Sequence, residues 1–294
     1  MAKNIGKDRG LQLRMGIVMM LLAGLGVTFA SVLGYFLGNI IIAVVIVTFF
    51  VVLQFAFGDK IALKSMGAKR VDNEEYPELH SMVNSAAQQA NVPMPDVAVA
   101  ETGLQNAFAA GRSQDSSVVC VTTGLMENLD DEEMEAVIAH EVAHIKNRDV
   151  VVMTVAGLIT MITGIIIRYS FFLSPTHGRG GGEKGAAAFA VIFVVSILTY
   201  VVGYLLIRAL SRYREHAADR GAAKITGNPT ALAQALRKID DSMDSTPKED
   251  LRDASGASAL MISPVKSKLS SLLSTHPETE TRIERLNEMA KDMD

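Results

Sequence analysis

The sequence predicts a mainly α-helical membrane protein, with four transmembrane helices in two hairpins and a cytoplasmic α+β domain that carries a small antiparallel sheet. Composition gives the first reason. The chain of 294 residues is 49% hydrophobic and has a positive mean hydropathy of +0.25, which exceeds what a soluble core requires. The excess lies in four apolar blocks, and the stretch between the second and third blocks has the mixed pattern of a soluble domain.

Each apolar block is close to the roughly 20 residues with which a helix crosses a bilayer. In chain order the predicted spans are 15–37, 39–57, 150–173 and 186–210. Only Gly38 separates the first two spans, which contain no charged residue, so we expect a tight hairpin. The later two contain only Arg168 and Arg208, each near one end, where a long basic side chain can reach the headgroups.

The alternative for the first block is a cleaved signal peptide, because basic residues precede it and a small-residue segment lies near its end. The block is longer than the roughly 7 to 15 residues of a signal core. A second apolar block also follows at once. A first membrane span is therefore the better interpretation.

Basic residues predict the orientation of the spans. Four Lys or Arg precede the first span and four follow the second, whereas the loop between them has none. Because cytoplasmic flanks are enriched in Lys and Arg, both termini and the segment 59–149 are expected in the cytoplasm. The predicted division is 1–58 for the tail and first hairpin, 59–149 and 211–294 for the two parts of the cytoplasmic domain, and 150–210 for the second hairpin.

The first cytoplasmic part has a helix pattern, three short strand patterns and a second helix pattern. The first helix follows Pro77, and the strands are PDVAVAE, GLQNAFAAG and SSVVCVTTG. The second helix, NLDDEEMEAVIAHEVAHIKN, opens with an Asp suited to the N-cap and acids in its first turn. It runs without an obvious break into the third span, so one continuous helix is expected.

The second cytoplasmic part is predicted to be helical. The helix of the fourth span should continue to Gly227, and 228–241 should form another helix. The polar segment 242–258 is expected to be a linker or a mobile cover. The last helix is expected to begin with Pro277 in its first position.

His140, Glu141 and His144 form the pattern H-E-x-x-H on a predicted helix. Residues four apart lie on one helix face, so both imidazoles can bind one metal, and Glu141 is placed to act as a general base. The structural alternative is a helix with two surface histidines. A tetrahedral catalytic zinc also needs a third protein ligand. The metzincin pattern cannot supply it, because it requires His at position 150, where this chain has Val150.

Glu215 is the predicted third ligand. The third and fourth spans should be antiparallel neighbours with axes about 8 to 10 Å apart, because a short loop joins them. His144 precedes the third span by six residues and Glu215 follows the fourth by five, so both are expected about 8 to 9 Å beyond the membrane boundary. Asp219, one turn after Glu215, can orient a ligand histidine. His216 is the alternative third ligand, but it points about 100° away from Glu215.

Four segments in order, NAFAAG, HEVAH, REHAAD and STHPETETRI, carry a resemblance to a known family. The chain resembles the HtpX family of membrane-embedded zinc endopeptidases, which is related to the prenyl-protein proteases and uses gluzincin-type zinc chemistry. The resemblance extends over nearly the whole chain. It implies a gluzincin-like domain with one zinc ion on His140, His144 and Glu215.

The resemblance also implies a function in protein quality control. Such enzymes cleave misfolded membrane proteins at the cytoplasmic side of the bacterial inner membrane, so the expected partners are these substrates, the lipid bilayer and other quality-control membrane proteins. No G-x-x-x-x-G-K-[ST] motif is present, which predicts an ATP-independent enzyme. The net charge of −4 gives no reason to expect nucleic acid.

The resemblance and the gluzincin pattern place a substrate-binding strand at Asn106, Ala107 and Phe108, and an ordinary hairpin strand is the alternative. His276 is the expected donor to the oxyanion, with a plain helix cap as its alternative; Tyr213 and Arg214 are weaker options. A scaffold protein and a transporter are the two alternative classes. A catalytically silent scaffold pinned by zinc would not need Glu141, and a transporter is disfavoured by the nearly charge-free spans.

Overall fold

The computed structural model of the chain describes residues 9–37, 45, 49, 52, 56–57, 59–173, 183–245 and 278–293. The helices among them are α1 (Arg9–Leu37), α2 (Pro77–Ala90), α3 (Thr123–Asn128), α4 (Asp131–Lys146), α5 (Asp149–Leu173), α6 (Glu183–Thr226), α7 (Pro229–Ser245) and α8 (Thr279–Met293). The strands are β1 (Lys69–Arg70), β2 (Asp96–Ala100), β3 (Ala107–Gly111) and β4 (Ser117–Thr122). A further helical segment covers 59–65.

The chain folds into two compact units that interrupt each other in sequence. In their described residues, one unit comprises Ala56–Val151 with Ser211–Asp294, and the other comprises Arg9–Phe55 with Val152–Leu210. The first unit contains the sheet and the helices that pack on it. The second contains most of the apolar helices.

Three helices in the described part of the chain are long and apolar enough to cross a membrane. They cover Arg9–Val32, Asp149–Arg168 and Phe189–Thr226. Met20 is 70% exposed and Val27 is 68% exposed, as expected for side chains that face lipid. The predicted span 39–57 lies mostly outside the described residues, so the count of four spans stays a prediction.

The sheet is mixed, and the predicted antiparallel sheet is wrong. The strand order is β1-β2-β4-β3, in which β2 pairs in parallel with β4 while the other two pairings are antiparallel. The short connection from β3 to β4 makes an antiparallel hairpin, so β3 occupies one edge of β4. Strand β2 therefore pairs with the other edge of β4. The loop that follows β2 is held by Thr102, whose C=O accepts a hydrogen bond from the N–H of Gly124.

Both faces of the two central strands are buried, which explains their continuous apolar sequences. On one face, Val97, Val99 and Val119 pack against helices α2 and α4, in a core cluster that also includes residues of α7. On the opposite face, Ala98 and Cys120 pack with the helical segment at 59–65. Burial raises the pKa of the Cys120 thiol to about 12, so this lone cysteine serves as a small apolar core residue.

The predicted continuous helix from the H-E-x-x-H pattern into the third span is also wrong. Helix α4 ends at Lys146, and α5 begins at Asp149. Asn147 caps α4, and Arg148 has φ +56°, a left-handed conformation that interrupts the helical path. The expected height of the metal above the membrane, which assumed an unbroken helix, therefore loses its basis.

Smaller differences concern the ends of elements. The loop before β3 extends to Asn106, and α3 was not predicted, although Thr122 caps it by accepting from the N–H of Leu125. Helix α6 ends before Gly227, as predicted, where φ is +69°. Helix α7 continues to Ser245, and α8 begins at Thr279 rather than at Pro277. The rest of the predicted polar segment, from 246 onward, lies outside the described residues.

Close packing of α4 on α6 depends on Gly221. A Cβ added there would lie 2.5 Å from the Cβ of Ala143, between the helices that carry the predicted metal ligands. Gly221→Ala should therefore destabilise the protein by about 1 to 3 kcal/mol, although Ala is normally the better helix former by about 1 kcal/mol. The change in unfolding temperature is measured in detergent, with labelling of the buried Cys120 as the signal of unfolding.

The matched control is Gly157→Ala, because a Cβ added at that helical glycine meets no heavy atom within 4 Å among the described residues beyond its own helical turn. This control should leave the unfolding temperature unchanged or raise it. A Gly221→Ala protein as stable as the wild type would contradict the close approach of the two helices.

Candidate metal centre

His140, His144 and Glu215 converge in the first unit. Their ligand atoms all lie within 4.8 Å of one another, and all three side chains are buried. The two Nε2 atoms of the histidines are 3.1 Å apart. Oxygens of Glu215 lie 3.5 Å from Nε2 of His140 and 3.6 Å from Nε2 of His144. The residues predicted as ligands therefore surround one point.

These distances are close to those between the ligand atoms of a tetrahedral metal. A tetrahedral ion with bonds of about 2.0 to 2.2 Å has neighbouring ligand atoms about 3.3 to 3.6 Å apart. Two imidazole nitrogens and a carboxylate oxygen would hold such an ion at three positions and leave the fourth for water or substrate. Among the residues that the structure describes, His216 is not part of this group, so the alternative third ligand does not join the cluster.

Helix α4 is fixed at the end remote from the ligands. Asp130 accepts a hydrogen bond from the N–H of Glu133, and Glu133 accepts one from the N–H of Asp130, which completes a capping box. Lys238 on α7 contacts the buried Glu133 carboxylate. The predicted Asp cap is confirmed, and it fixes the helix on which both histidines lie four residues apart.

Asp219 contacts the first histidine and an arginine that sequence reasoning missed. Its Oδ1 lies 3.1 Å from Nδ1 of His140. Arg282 on α8 donates to both carboxylate oxygens of Asp219, at 3.0 and 2.7 Å. It also lies 3.4 Å from Glu215. Arg282 had a sequence signal, because it precedes the buried Leu286 by four residues and so lies on the apolar face of α8.

Asp149 is a second missed residue, and it contacts the other histidine. Nδ1 of His144 lies 2.6 Å from Oδ2 of Asp149, which is 2% exposed. Arg214, which precedes the ligand Glu215, lies 3.2 Å from the other oxygen of Asp149. Each ligand histidine thus has an aspartate at Nδ1, and each aspartate has an arginine beside it.

The electrostatics of the cluster favour a cation at the histidines. Burial of the ring opposes protonation of His140, but hydrogen bonds to Asp219 and Glu215 outweigh it and raise its pKa to about 9. Burial would also raise the pKa of Asp219, but the charge of Arg282 prevails and lowers that pKa to about 2. A carboxylate that stays ionised beside an imidazole attracts a metal ion to the other ring nitrogen.

Glu141 lies beside the candidate metal ligands and is not part of their group. Burial raises the pKa of its carboxyl above the ordinary value, and the charges of His144 and His140 and a hydrogen bond from the N–H of Ala109 oppose that rise. Ala109 belongs to β3, one of the two edge strands of the described sheet. The free edge of β3 therefore faces Glu141.

The other predicted site residues have different positions. The backbone of Asn106 is held by Thr122, whose Oγ1 accepts from its N–H and donates to its C=O, each at 2.9 Å. Ala107 begins β3, and the side chain of Phe108 packs in the core on the far face of the sheet. The main chain of Phe108 pairs with Cys120 of β4. His276 lies outside the described residues.

Comparison with known protein families decides the assignment. The model of Peptidase family M48 matches residues 73–290. The chain belongs to this family. Within M48 it belongs to the HtpX proteases, because it is 43% identical over 289 residues to protease HtpX homolog 2 of Methanosarcina mazei, with 98% of each chain covered. Protease HtpX homolog 1 of Streptomyces coelicolor is 42% identical over 296 residues, which cover 100% of this chain and 97% of the homolog.

A solved structure of the same fold is the crystal structure of S. mikatae Ste24p. It superposes with a TM-score of 0.55 at 21% sequence identity and covers 95% of this chain and 67% of that chain. The M48 assignment and the three apolar helices together make the chain a membrane metalloprotease.

Asp149→Asn tests whether the missed aspartate supports the metal. Loss of the charge at Nδ1 of His144 should weaken zinc binding about 10- to 100-fold, because partners that orient ligand histidines contribute that much to affinity. Competition with a chromophoric chelator measures the change. Asp149→Glu, which keeps the charge, should recover part of the affinity.

Asp96→Asn is the matched control, since Asp96 also pairs with an arginine, Arg70, at 3.0 Å but on the surface. It should bind zinc like the wild type. Equal zinc affinity in Asp149→Asn and Asp96→Asn would show that Asp149 does not support the metal.

Proposed function

We propose that the chain is an ATP-independent zinc endopeptidase that hydrolyses peptide bonds in misfolded or damaged membrane proteins at the cytoplasmic face of the bacterial inner membrane. The observation that carries this proposal is the convergence of His140, His144 and Glu215 with Glu141 beside them. Protein quality control under stress is the corresponding cellular role.

Zinc is the metal that suits this ligand set. Two imidazoles and one carboxylate with an open fourth position are typical of catalytic zinc sites. Calcium and magnesium prefer sites made of oxygen ligands. One site of this kind supports one zinc per chain, held by His140, His144 and Glu215. When bound, zinc supplies Lewis acidity, which activates water and polarises a carbonyl group.

Glu141 is proposed as the general base and acid. Its carboxylate lies against the ligand histidines and the edge of β3, where a water and a scissile peptide would meet. It would accept the proton of the attacking water and deliver it to the leaving amine. His140 and His144 would be held in orientation by Asp219 and Asp149, which contact their Nδ1 atoms.

The free edge of β3 is proposed to hold the substrate. An extended peptide can add to an exposed strand edge through main-chain hydrogen bonds, which accept many sequences. Of the predicted residues, Ala107 would offer its backbone to the substrate. The N–H and C=O of Asn106 are already paired with Thr122, and the alternating ladder turns those of Phe108 toward Cys120. This use of backbone suits an enzyme whose substrates share an unfolded state rather than a sequence.

The proposed oxyanion donor is His276, at the start of the segment that leads to α8 and Arg282. Tyr213 is the second option. Arg214 is less suited, because it already lies against Asp149. A donor beyond the metal would stabilise the negative charge that develops on the carbonyl oxygen.

The proposed topology places both termini and the first unit in the cytoplasm. The basic residues that flank the apolar segments support this orientation. Substrates would reach the site as loops, tails or unfolded segments of membrane proteins. Other quality-control proteins of the membrane are proposed partners, and nucleic acid is not expected.

Glu141→Gln tests the mechanism. Loss of the general base should lower the rate of cleavage of an unfolded protein substrate about 10²- to 10⁴-fold. Zinc content should stay at one per chain, because Glu141 is not in the ligand group. Purified protein in detergent with added zinc, assayed with unfolded casein, gives both measurements.

Equal cleavage by wild type and Glu141→Gln would contradict the peptidase mechanism. Zinc binding by both proteins without cleavage by either would instead favour a zinc-stabilised scaffold, which is the alternative function.

A further inference from the structure

A groove of about 390 Å³ lies at the beginning of α4, between α2 and α3. Its floor contains three methionines, Met82, Met126 and Met134. Its rim carries the carboxylates of Glu75, Glu78 and Asp131, and none of the described residues that line it is basic. We call it the Met groove. Its volume lies in the lower part of the range of ligand pockets, about 300 to 1,000 Å³.

The composition of the Met groove indicates what it can bind. Methionine side chains are flexible and polarisable, so a surface built from them adapts to apolar side chains of different shape. The three rim carboxylates are exposed and favour a positively charged neighbour, because complementary charges at a rim select the partner. A peptide with an apolar side chain followed by lysine or arginine fits both the methionine floor and the acidic rim.

The Met groove lies a short distance from the proposed catalytic residue along α4. Glu141 follows Met134 by seven residues and Asp131 by ten, which corresponds to about 10 to 15 Å along the helix. An extended peptide covers this distance in about three to five residues. A single bound substrate can therefore reach both places.

Strand β3 points a substrate toward the groove. Ala109 contacts Glu141, and Ala110 and Gly111 lie near His144, so β3 and α4 run in the same sense. The beginning of β3 accordingly lies toward the start of α4. Gln105, just before β3, accepts a hydrogen bond of 2.7 Å from Asn128 at the end of α3, the helix that contributes Met126.

We infer that the Met groove is a substrate exosite, which binds an apolar side chain flanked by lysine or arginine three to five residues from the scissile bond. The inference rests on the proposed endopeptidase function and adds a rule of substrate selection. Cytoplasmic ends of membrane spans have this composition, because apolar residues of the span are followed there by basic residues. The exosite would direct cleavage to such junctions.

Binding is tested with full-length Glu141→Gln protein loaded with zinc in detergent, so that the peptides stay intact. Two fluorescent peptides of twelve residues are compared, one with Leu-Phe followed by two lysines and one with the same residues followed by two glutamates. The lysine peptide should bind about tenfold more tightly, as two exposed charge pairs allow.

Charge reversal identifies the groove as the binding place. Glu75→Lys with Glu78→Lys should abolish the tenfold preference for the lysine peptide. The matched control is Glu127→Lys with Glu135→Lys, which changes the net charge equally at exposed positions that do not line the groove. This control should keep the preference. Met126→Gln should weaken the binding of both peptides, since it makes the floor polar.

Two outcomes would overturn the exosite: equal affinity for both peptides in the protein with the native rim, or an equal loss of preference in the groove and control variants. Failure of the proposed function is distinguished by a separate cleavage assay with the intact Glu141 enzyme. Binding that depends on the groove, without any cleavage of the lysine peptide, would contradict the peptidase function and support the groove as a binding site.

Discussion

Burial of four carboxylates around one point is the constraint on which the rest of the site depends. They are Glu141, Asp149, Glu215 and Asp219. Ionised groups taken out of water cost several kcal/mol each unless they are paired. Among the described residues, Arg214 and Arg282 balance two of these charges. A divalent cation on the two histidines would balance the remaining two carboxylate charges. The buried cluster therefore needs a bound metal to be electrically neutral.

This constraint explains why distant segments of the chain must meet. The histidines come from α4, Glu215 and Asp219 come from α6, and Arg282 comes from α8 near the end of the chain. The break after α4 has a part in this assembly. In an unbroken helix Asp149 would lie about 140° around from His144 and about 7.5 Å along the axis. The left-handed Arg148 instead brings the carboxylate to 2.6 Å from the imidazole, which is strain placed at a functional site.

Sequence alone could predict what depends on local periodicity. The spacing of His140 and His144 places both on one face of a helix, as the structure shows. Three of the four predicted apolar spans correspond to long apolar helices in the described part of the chain. The break between α4 and α5 was not predicted, because neither Asn147 nor Arg148 is the Gly or Pro that usually marks the end of a helix. The parallel pairing of β2 with β4 was also not predictable. It arises because the β3–β4 hairpin leaves one edge of β4 open to β2, and only the tertiary structure decides which strand takes that edge. Asp149 was missed for a similar reason, because its role depends on a contact with His144 that forms only where the helix breaks. Arg282 had a signal in its position on the apolar face of α8, but its partner Asp219 lies far away in sequence.

The proposed site holds one zinc ion on two imidazoles and one carboxylate, and X-ray absorption at the zinc edge measures the atoms bound to the metal directly. The purified protein should show one zinc per chain with nitrogen and oxygen neighbours at about 2.0 to 2.2 Å and an imidazole scattering pattern that two rings explain. Removal of the carboxylate in Glu215→Ala should change the shell and reduce occupancy. A sulfur neighbour, a single imidazole, or an unchanged shell in Glu215→Ala would contradict the proposed site.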